Sequence, residues 1–320
     1  MHMKIDQSTL RQIESDLGLN RQWVKGQTIP VRNCWHFSTD GNAVDAMFYD
    51  EQDFRDAMNG IYVLLRKYKV IILAFVLMDT HVHFILYGEL EECNRFIHDL
   101  VARLSRGLHV RYGYSNKLSR VPVNYQKIDS DRYLKTAICY VVRNPTVAGL
   151  SYMPWNYPWS SGPLYFHREL PWSMATRPKA SDLSELTALE RRKVLKSRKV
   201  DKNSDALIEG LVLPQEYVAV DLVERVFRTA SGYNFFLCTS RESDVESREG
   251  RISRLSIPMQ EMRQHRIEIC RQMYGRSTMN ALDTEQRLRI ARALRAKYNS
   301  SAKQVARLCG LIYEEVKDMI

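Results

Sequence analysis

The sequence predicts an α+β fold. A ferredoxin-like split βαβ unit, with an antiparallel sheet and helices on one face, is followed by a mainly helical C-terminal extension ending in a helix-turn-helix. Three observations point there. Between Asn33 and Asn144 the apolar patterning reads strand, helix, strand, strand, helix, strand, helix. Val70 to Met78 is a continuous β-rich apolar run, the pattern of a strand covered on both faces. From Leu282 onward a helical pattern rich in Arg and Lys leads into a second one interrupted by Gly310.

Asn33-Cys34-Trp35-His36-Phe37-Ser38-Thr39 reads as the first strand, closed by a turn at Asp40-Gly41-Asn42. Asp50-Glu51 opens a helix to about Lys69, on which Phe54, Met58, Ile61, Tyr62 and Leu65 recur at helical spacing. Asp79-Thr80 breaks the Val70 to Met78 run before a strand from His81 to Leu86, so the two form a hairpin or a tightly coupled pair. The next helix runs from Glu89 to about Tyr112, with Phe96, Leu100, Leu104 and Leu108 at four-residue intervals. A short strand, Val121 to Ile128, precedes a helix from Asp131 to Asn144 that stops at Pro145.

The aromatic stretch Trp155-Asn156-Tyr157-Pro158-Trp159-Ser160-Ser161-Gly162 is expected to pack back on this first domain, which ends near Phe166. Residues 171 to 204 include the basic run Arg191-Arg192-Lys193-Val194-Leu195-Lys196-Ser197-Arg198-Lys199. That run reads as a linker or solvated helix in preference to a phosphate-binding track. Val218 to Ala230 looks helical, and Tyr233 to Cys238 is ambiguous. The expected domains are 1–166, 167–250 (linker and helical region) and 251–320.

With 320 residues and 45% hydrophobic composition the chain can bury a substantial core, which excludes a disordered protein. Its 47 Lys and Arg against 37 Asp and Glu leave a net charge of +10, which favours an anionic partner, most simply nucleic acid. The six cysteines form no CxxC pair and read as reduced thiols of a cytoplasmic protein. The N-terminus has no apolar signal core, and the longest apolar run is too short to cross a bilayer, so no membrane partner is expected.

A helix-turn-helix needs a small residue where its helices cross, a residue tolerant of positive φ at the turn, and an apolar anchor on the second helix. Ala306, Gly310 and Val316 occur at that spacing. Lys303, Gln304, Arg307 and Lys317 would then face DNA. A plain helical hairpin used for packing shares the glycine and is the alternative.

The chemistry centres on Thr80-His81-Val82-His83 and Tyr140-Val141-Val142-Arg143-Asn144-Pro145. On a strand His81 and His83 share one face, and on a helix Tyr140 and Asn144 share another. Two neutral imidazoles and an amide oxygen suit an open Mg²⁺ or Mn²⁺ site better than a closed zinc site. Such a cation on a phosphodiester oxygen, with a tyrosine hydroxyl beside it, can support attack on phosphorus and leave a phosphotyrosine on one DNA end. Each residue also has a plainer reading. A His-x-His pair occurs on ordinary polar strand faces, Tyr140 is one of 17 tyrosines and can be a half-buried aromatic, and Asn144 before proline is a common helix stop.

Taken together, Met78-Asp79-Thr80-His81-Val82-His83-Phe84-Ile85-Leu86, Tyr140-Val141-Val142-Arg143-Asn144-Pro145-Thr146-Val147-Ala148-Gly149-Leu150 and Tyr157-Pro158-Trp159-Ser160-Ser161 carry a resemblance. The region from about Asn33 to Phe166 resembles the single-tyrosine HUH transposases, most closely the REP-associated tyrosine transposases. The resemblance implies that 1–166 is an HUH domain whose metal ligands are His81, His83 and Asn144. It further implies that Tyr140 attacks single-stranded DNA to give a 5′-phosphotyrosine. Two positions depart from the family pattern: Thr80 stands where Asn is usual, and Val142 where His is frequent.

The first functional expectation is therefore an enzyme that nicks and rejoins hairpin-forming single-stranded DNA. Arg95, Arg103, Arg106 and Arg111 on the Glu89 to Tyr112 helix would contribute phosphate contacts together with the C-terminal residues. Monomer and homodimer both remain open, as does action of Tyr140 in its own site or a partner's. The alternatives are a non-cleaving sequence-specific DNA-binding protein that keeps the fold, and a metal-dependent hydrolase with water as nucleophile.

Overall fold

Apolar alternation and helix caps place the elements of the N-terminal half in the computed structural model as follows. They are α1 (Gln7–Asp16), β1 (Pro30–Thr39), α2 (Glu51–Leu64), β2 (Ile71–Met78), β3 (His81–Tyr87), α3 (Leu90–Tyr112), β4 (Val123–Ser130) and α4 (Asp131–Val147). The structure describes residues 6–22, 27–41, 43–44, 46–113, 118, 120–167, 181–197, 205–239, 259–276, 279, 282–298 and 302–320. Asn42 of the expected turn, Arg198 and Lys199 of the basic run, and most of 167–180 and 240–258 lie outside the described residues. The described residues fall into two compact units, one drawn from Met1–Pro145 with Tyr152–Arg241, the other from Thr146–Ser151 with Glu242–Ile320.

In the first unit four strands form one antiparallel sheet in the order β2-β3-β1-β4. β2 is buried along its whole length, as its unbroken apolar run requires, and Asp79-Thr80 turns it directly into β3 with Met78 opposite His81. Asp50 caps α2 by accepting from the Asp53 backbone N–H. Gly113 ends α3 at φ +70°, a left-handed conformation that a residue without Cβ adopts without strain.

The two faces of the sheet are covered by different helices. Phe84 packs edge-on against Phe96 of α3, with ring centroids 6.1 Å apart, while its neighbour His83 meets Tyr140 of α4 at 5.3 Å. Successive strand residues point to opposite faces, so α3 and α4 lie on opposite sides of the sheet. The expectation of helices on one face is corrected accordingly. α4 also continues past the stop expected at Asn144, through Pro145 to Val147. Pro145 lacks only the N–H that would reach back toward Val141, and a proline in the last turn leaves the rest of the helix in place.

The outer edge of β2 is covered by later parts of the chain. The Leu77 N–H donates to the Trp159 carbonyl (2.9 Å), and the Ser161 N–H to the Phe75 carbonyl (3.0 Å). Ser161 Oγ also accepts from the Phe75 N–H at 3.0 Å, and the Ala219 N–H reaches the Ile72 carbonyl at 3.0 Å. An edge that would otherwise present unpaired backbone groups is thus closed.

A small antiparallel sheet, β5 (Ser181–Asp182), β6 (Ala206–Ile208) and β7 (Leu211–Val212), accompanies α5 (Ala188–Leu195), α6 (Val220–Phe227) and α7 (Ala230–Thr239). The ambiguous Tyr233 to Cys238 stretch is therefore helical. Arg191 to Leu195 of the basic run lie on α5, with Arg192 and Lys193 exposed and the other side packed. Thr187 and Glu190 close a capping box on α5, and Arg191 is buried with its guanidinium on the Leu186 carbonyl. Leu195 is buried and Lys196 pairs with Asp56. The anchor is Asn59 on α2. Its amide donates to the carbonyls of Gly210 (2.8 Å) and Val194 (3.2 Å), and its oxygen accepts from the Val212 N–H (3.0 Å).

The second unit contains α8 (Met259–Tyr274), α9 (Thr284–Tyr298), α10 (Ala302–Leu308) and α11 (Tyr313–Val316). Met262, Ile269, Ile290, Leu294, Val305 and Leu308 share its core. Gly310 takes φ +65° between α10 and α11, and Ala306 and Val316 meet at Leu288. Among the described residues no helix is long and apolar enough to cross a membrane.

Replacing Asn59 with Ala removes three hydrogen bonds and strands the partner groups at a 3% exposed site. The expected loss is about 2–4 kcal/mol of unfolding free energy, read from the denaturant midpoint. A midpoint unchanged from wild type would refute the anchoring role.

Candidate functional site

The side-chain period of β3 sends His81 and His83 to the face opposite Phe84, and α4 lies on that same face with Tyr140 and Asn144 one turn apart. His81 Nε2 is 3.2 Å from Asn144 Oδ1. The His81 and His83 rings stand perpendicular with centroids 5.0 Å apart, and the His83 and Tyr140 rings likewise at 5.3 Å. The strand and helix thus bring all four residues together. His83 is buried at 1% exposure, whereas His81, Tyr140 and Asn144 are half-buried.

The orientation of the Asn144 amide follows from its second contact. Nδ2 donates to the Tyr140 carbonyl at 3.3 Å, and a carbonyl can only accept, so the oxygen is the atom turned toward His81. Continuation of α4 through Pro145 keeps Asn144 in helical register above Tyr140. The departures from the family pattern have local accounts. Thr80 Oγ1 lies 3.0 Å from His81 Nδ1, and Val142 is fully buried. Backbone also crowds His81: a Cβ on Gly41 would stand 3.0 Å from His81 Nδ1 and 3.1 Å from Thr80 Oγ1.

Sequence reasoning missed His36. It lies on β1 opposite Ile85, while Ser38 lies opposite His83, so His36 is the diagonal neighbour of His83 on the site face. His36 Nε2 is 3.0 Å from His83 Nδ1, with the two ring centroids 5.2 Å apart and Tyr140 edge-on to His36 at 5.7 Å. The alternation Trp35-His36-Phe37 marks its face, but only the β1–β3 register reveals its neighbour.

Two imidazoles and an amide oxygen are a donor set that could hold a divalent ion. Two cis ligands at bond lengths of about 2.1 Å lie roughly 3 Å apart, and His81 Nε2 and Asn144 Oδ1 are 3.2 Å apart. Thr80 Oγ1 can either accept from an Nδ1–H or donate to a bare Nδ1 of His81, and only the first of these tautomers leaves a lone pair on Nε2. Among the described residues no three His, Cys, Asp or Glu side chains group to hold a metal.

The arginines expected at DNA are in different states. Arg95 is exposed beside Glu92, and Arg106 is exposed. Arg103 donates to the Leu195 carbonyl and, at 3.2 Å, to the Lys196 carbonyl. Arg111 holds both Asp50 (2.7 Å) and Asp53, and it keeps the Asp50 carboxyl well below the usual carboxylate range. In the second unit Arg307 is exposed and Lys317 pairs with Glu314 at 3.3 Å. Lys303 and Gln304 lie on α10, and their side chains fall outside the described residues.

No family model and no curated protein matches the chain. A similar solved structure is that of a REP-associated tyrosine transposase bound to a REP hairpin. The likeness has 14% identity and a TM-score of 0.33, and it covers 44% of this chain and 82% of that one. At that level it carries no argument about what this chain does.

Arg103→Ala is expected to lower unfolding free energy by about 1–3 kcal/mol, since two carbonyls lose a charged donor. Arg106→Ala should change it by less than about 0.5 kcal/mol. Denaturant titration of the two variants checks this, and equal losses would overturn the distinction.

Proposed function

We propose that this chain is a metal-dependent endonuclease and strand transferase acting on single-stranded DNA at hairpins of the repetitive-palindrome type. The ferredoxin-like unit would be an HUH domain over 1–166, with His81, His83 and Asn144 holding Mg²⁺ or Mn²⁺ and Tyr140 as nucleophile. The supporting observation is the convergence of His81 Nε2 and Asn144 Oδ1 at 3.2 Å beside the Tyr140 ring. The motif resemblance and the net charge of +10 agree with it.

When bound, the cation supplies positive charge at a non-bridging phosphate oxygen, which lowers the repulsion met by an incoming oxygen nucleophile. The protein's part is positioning. α4 holds Tyr140 against His36 and His83 of the same chain, which favours action in its own site. The Tyr140 oxygen bonds to phosphorus as the phosphorus–O3′ bond breaks. The phenolic proton passes to solvent and the leaving 3′ oxygen takes one up. The products are a 5′-phosphotyrosine and a 3′-hydroxyl end, and attack by a 3′-hydroxyl on the phosphotyrosine reverses the step and rejoins a strand.

Phosphate contacts are proposed for the exposed Arg95 and Arg106. Residues 251–320 are proposed as a helix-turn-helix region, with Lys303, Gln304, Arg307 and Lys317 toward DNA and Gly310 at the turn. Arg103 and Arg111 have a structural role in this reading, because carbonyls and carboxylates already occupy their donors.

Incubation with a labelled hairpin oligonucleotide and Mn²⁺ should yield a denaturant-resistant protein–DNA adduct. Tyr140→Phe should abolish the adduct and leave oligonucleotide affinity within about a factor of two of wild type, a loss confined to the chemical step. An adduct that persists in Tyr140→Phe would sink the assignment.

A further inference from the structure

We infer that His36 is a positioning residue that holds the His83 ring in the tautomer a cation ligand needs. The inference rests on the proposed reading of His81, His83 and Asn144 as ligands. His36 and His83 are enclosed, at 0% and 1% exposure, and His36 Nε2 lies 3.0 Å from His83 Nδ1. Two imidazole nitrogens at that separation share one proton, so one donates and the other accepts. A neutral ring that ligates through Nε2 carries its proton on Nδ1. His83 is therefore the donor and His36 Nε2 the acceptor. In the reverse arrangement the His83 proton would sit on Nε2, and no lone pair would remain there for an ion.

Metal-bound imidazoles commonly find this outer partner in a carboxylate, a backbone carbonyl or water. Here β1 supplies a second imidazole in that place. The register that pairs Ser38 with His83 and His36 with Ile85 brings it diagonally alongside. Its orientation is fixed from two sides. The His36 and His83 rings lie side by side with an interplanar angle of 28°, joined through their nitrogens, and the Tyr140 ring stands edge-on to both, at 73° and 88°. One buried side chain thus touches a ligand ring and the ring of the nucleophile, so its loss would loosen both.

Mn²⁺ binding to the full chain without DNA, read from the free-ion electron paramagnetic resonance signal, tests the role. His36→Phe keeps a ring but has no acceptor, and should weaken binding by about 10- to 100-fold, the usual cost of losing an outer-shell partner. His36→Gln, whose amide oxygen can accept from Nδ1–H, should recover most of that loss. A long-range ¹H–¹⁵N spectrum of the wild type should show His83 protonated on Nδ1, and this reading stands even if a variant fails to fold. Wild-type affinity in His36→Phe, a Gln variant as weak as the Phe variant, or a His83 proton on Nε2 would each overturn the inference alone. A wild type that binds no Mn²⁺, or His83→Ala binding as wild type does, would instead overturn the ligand reading and this inference with it.

Discussion

β3 hydrogen-bonds to β2 on one side and β1 on the other, and the site depends on that double pairing. A strand held on both edges cannot slip by one residue without exchanging its faces, which would send His81 and His83 into the layer of Phe75, Phe84 and Phe96. The stacked and edge-on phenylalanines on one side therefore enforce the position of the imidazoles on the other. Burial of His83 adds a second demand, because an enclosed polar ring without a hydrogen bond is costly. His36 meets it from the adjacent strand.

The two faces divide the labour. α3 packs against the apolar face with α2 alongside it, and α4 lies over the histidine face with Tyr140 and Asn144 inward. The rest of the first unit protects this arrangement. Tyr157 to Ser161 and Val218 to Ala219 close the β2 edge, and Asn59 ties α2 to α5 and β7.

Positive charge in this chain is not the same as available positive charge. Arg103 and Arg191 donate to backbone carbonyls in the first unit, as Arg266, Arg287 and Arg292 do in the second. Arg111 is held by two aspartates. A guanidinium that is buried, as at Arg191, or held by carboxylates, as at Arg111, offers little to a phosphate. The net charge of +10 therefore overstates the cationic surface open to an anionic partner.

The sequence by itself determined the element order, the burial of β2, the shared face of His81 and His83, and the helical step from Tyr140 to Asn144. Those properties follow from local periodicity, with two residues per strand repeat and about four per helix turn. It erred where local preference is weak or overridden. Pro145 did not end α4, because a proline in the last turn removes a single hydrogen bond, and the start of the basic run, Arg191 to Leu195, is helical and packed because Leu195 and Arg191 found cover. Only the tertiary structure decided that α4 crosses the face opposite α3, that the Asn144 oxygen turns to His81, and that His36 backs His83. Each of these depends on which strand lies beside which and in what register. Such pairings join residues far apart in the chain, and no local pattern encodes them.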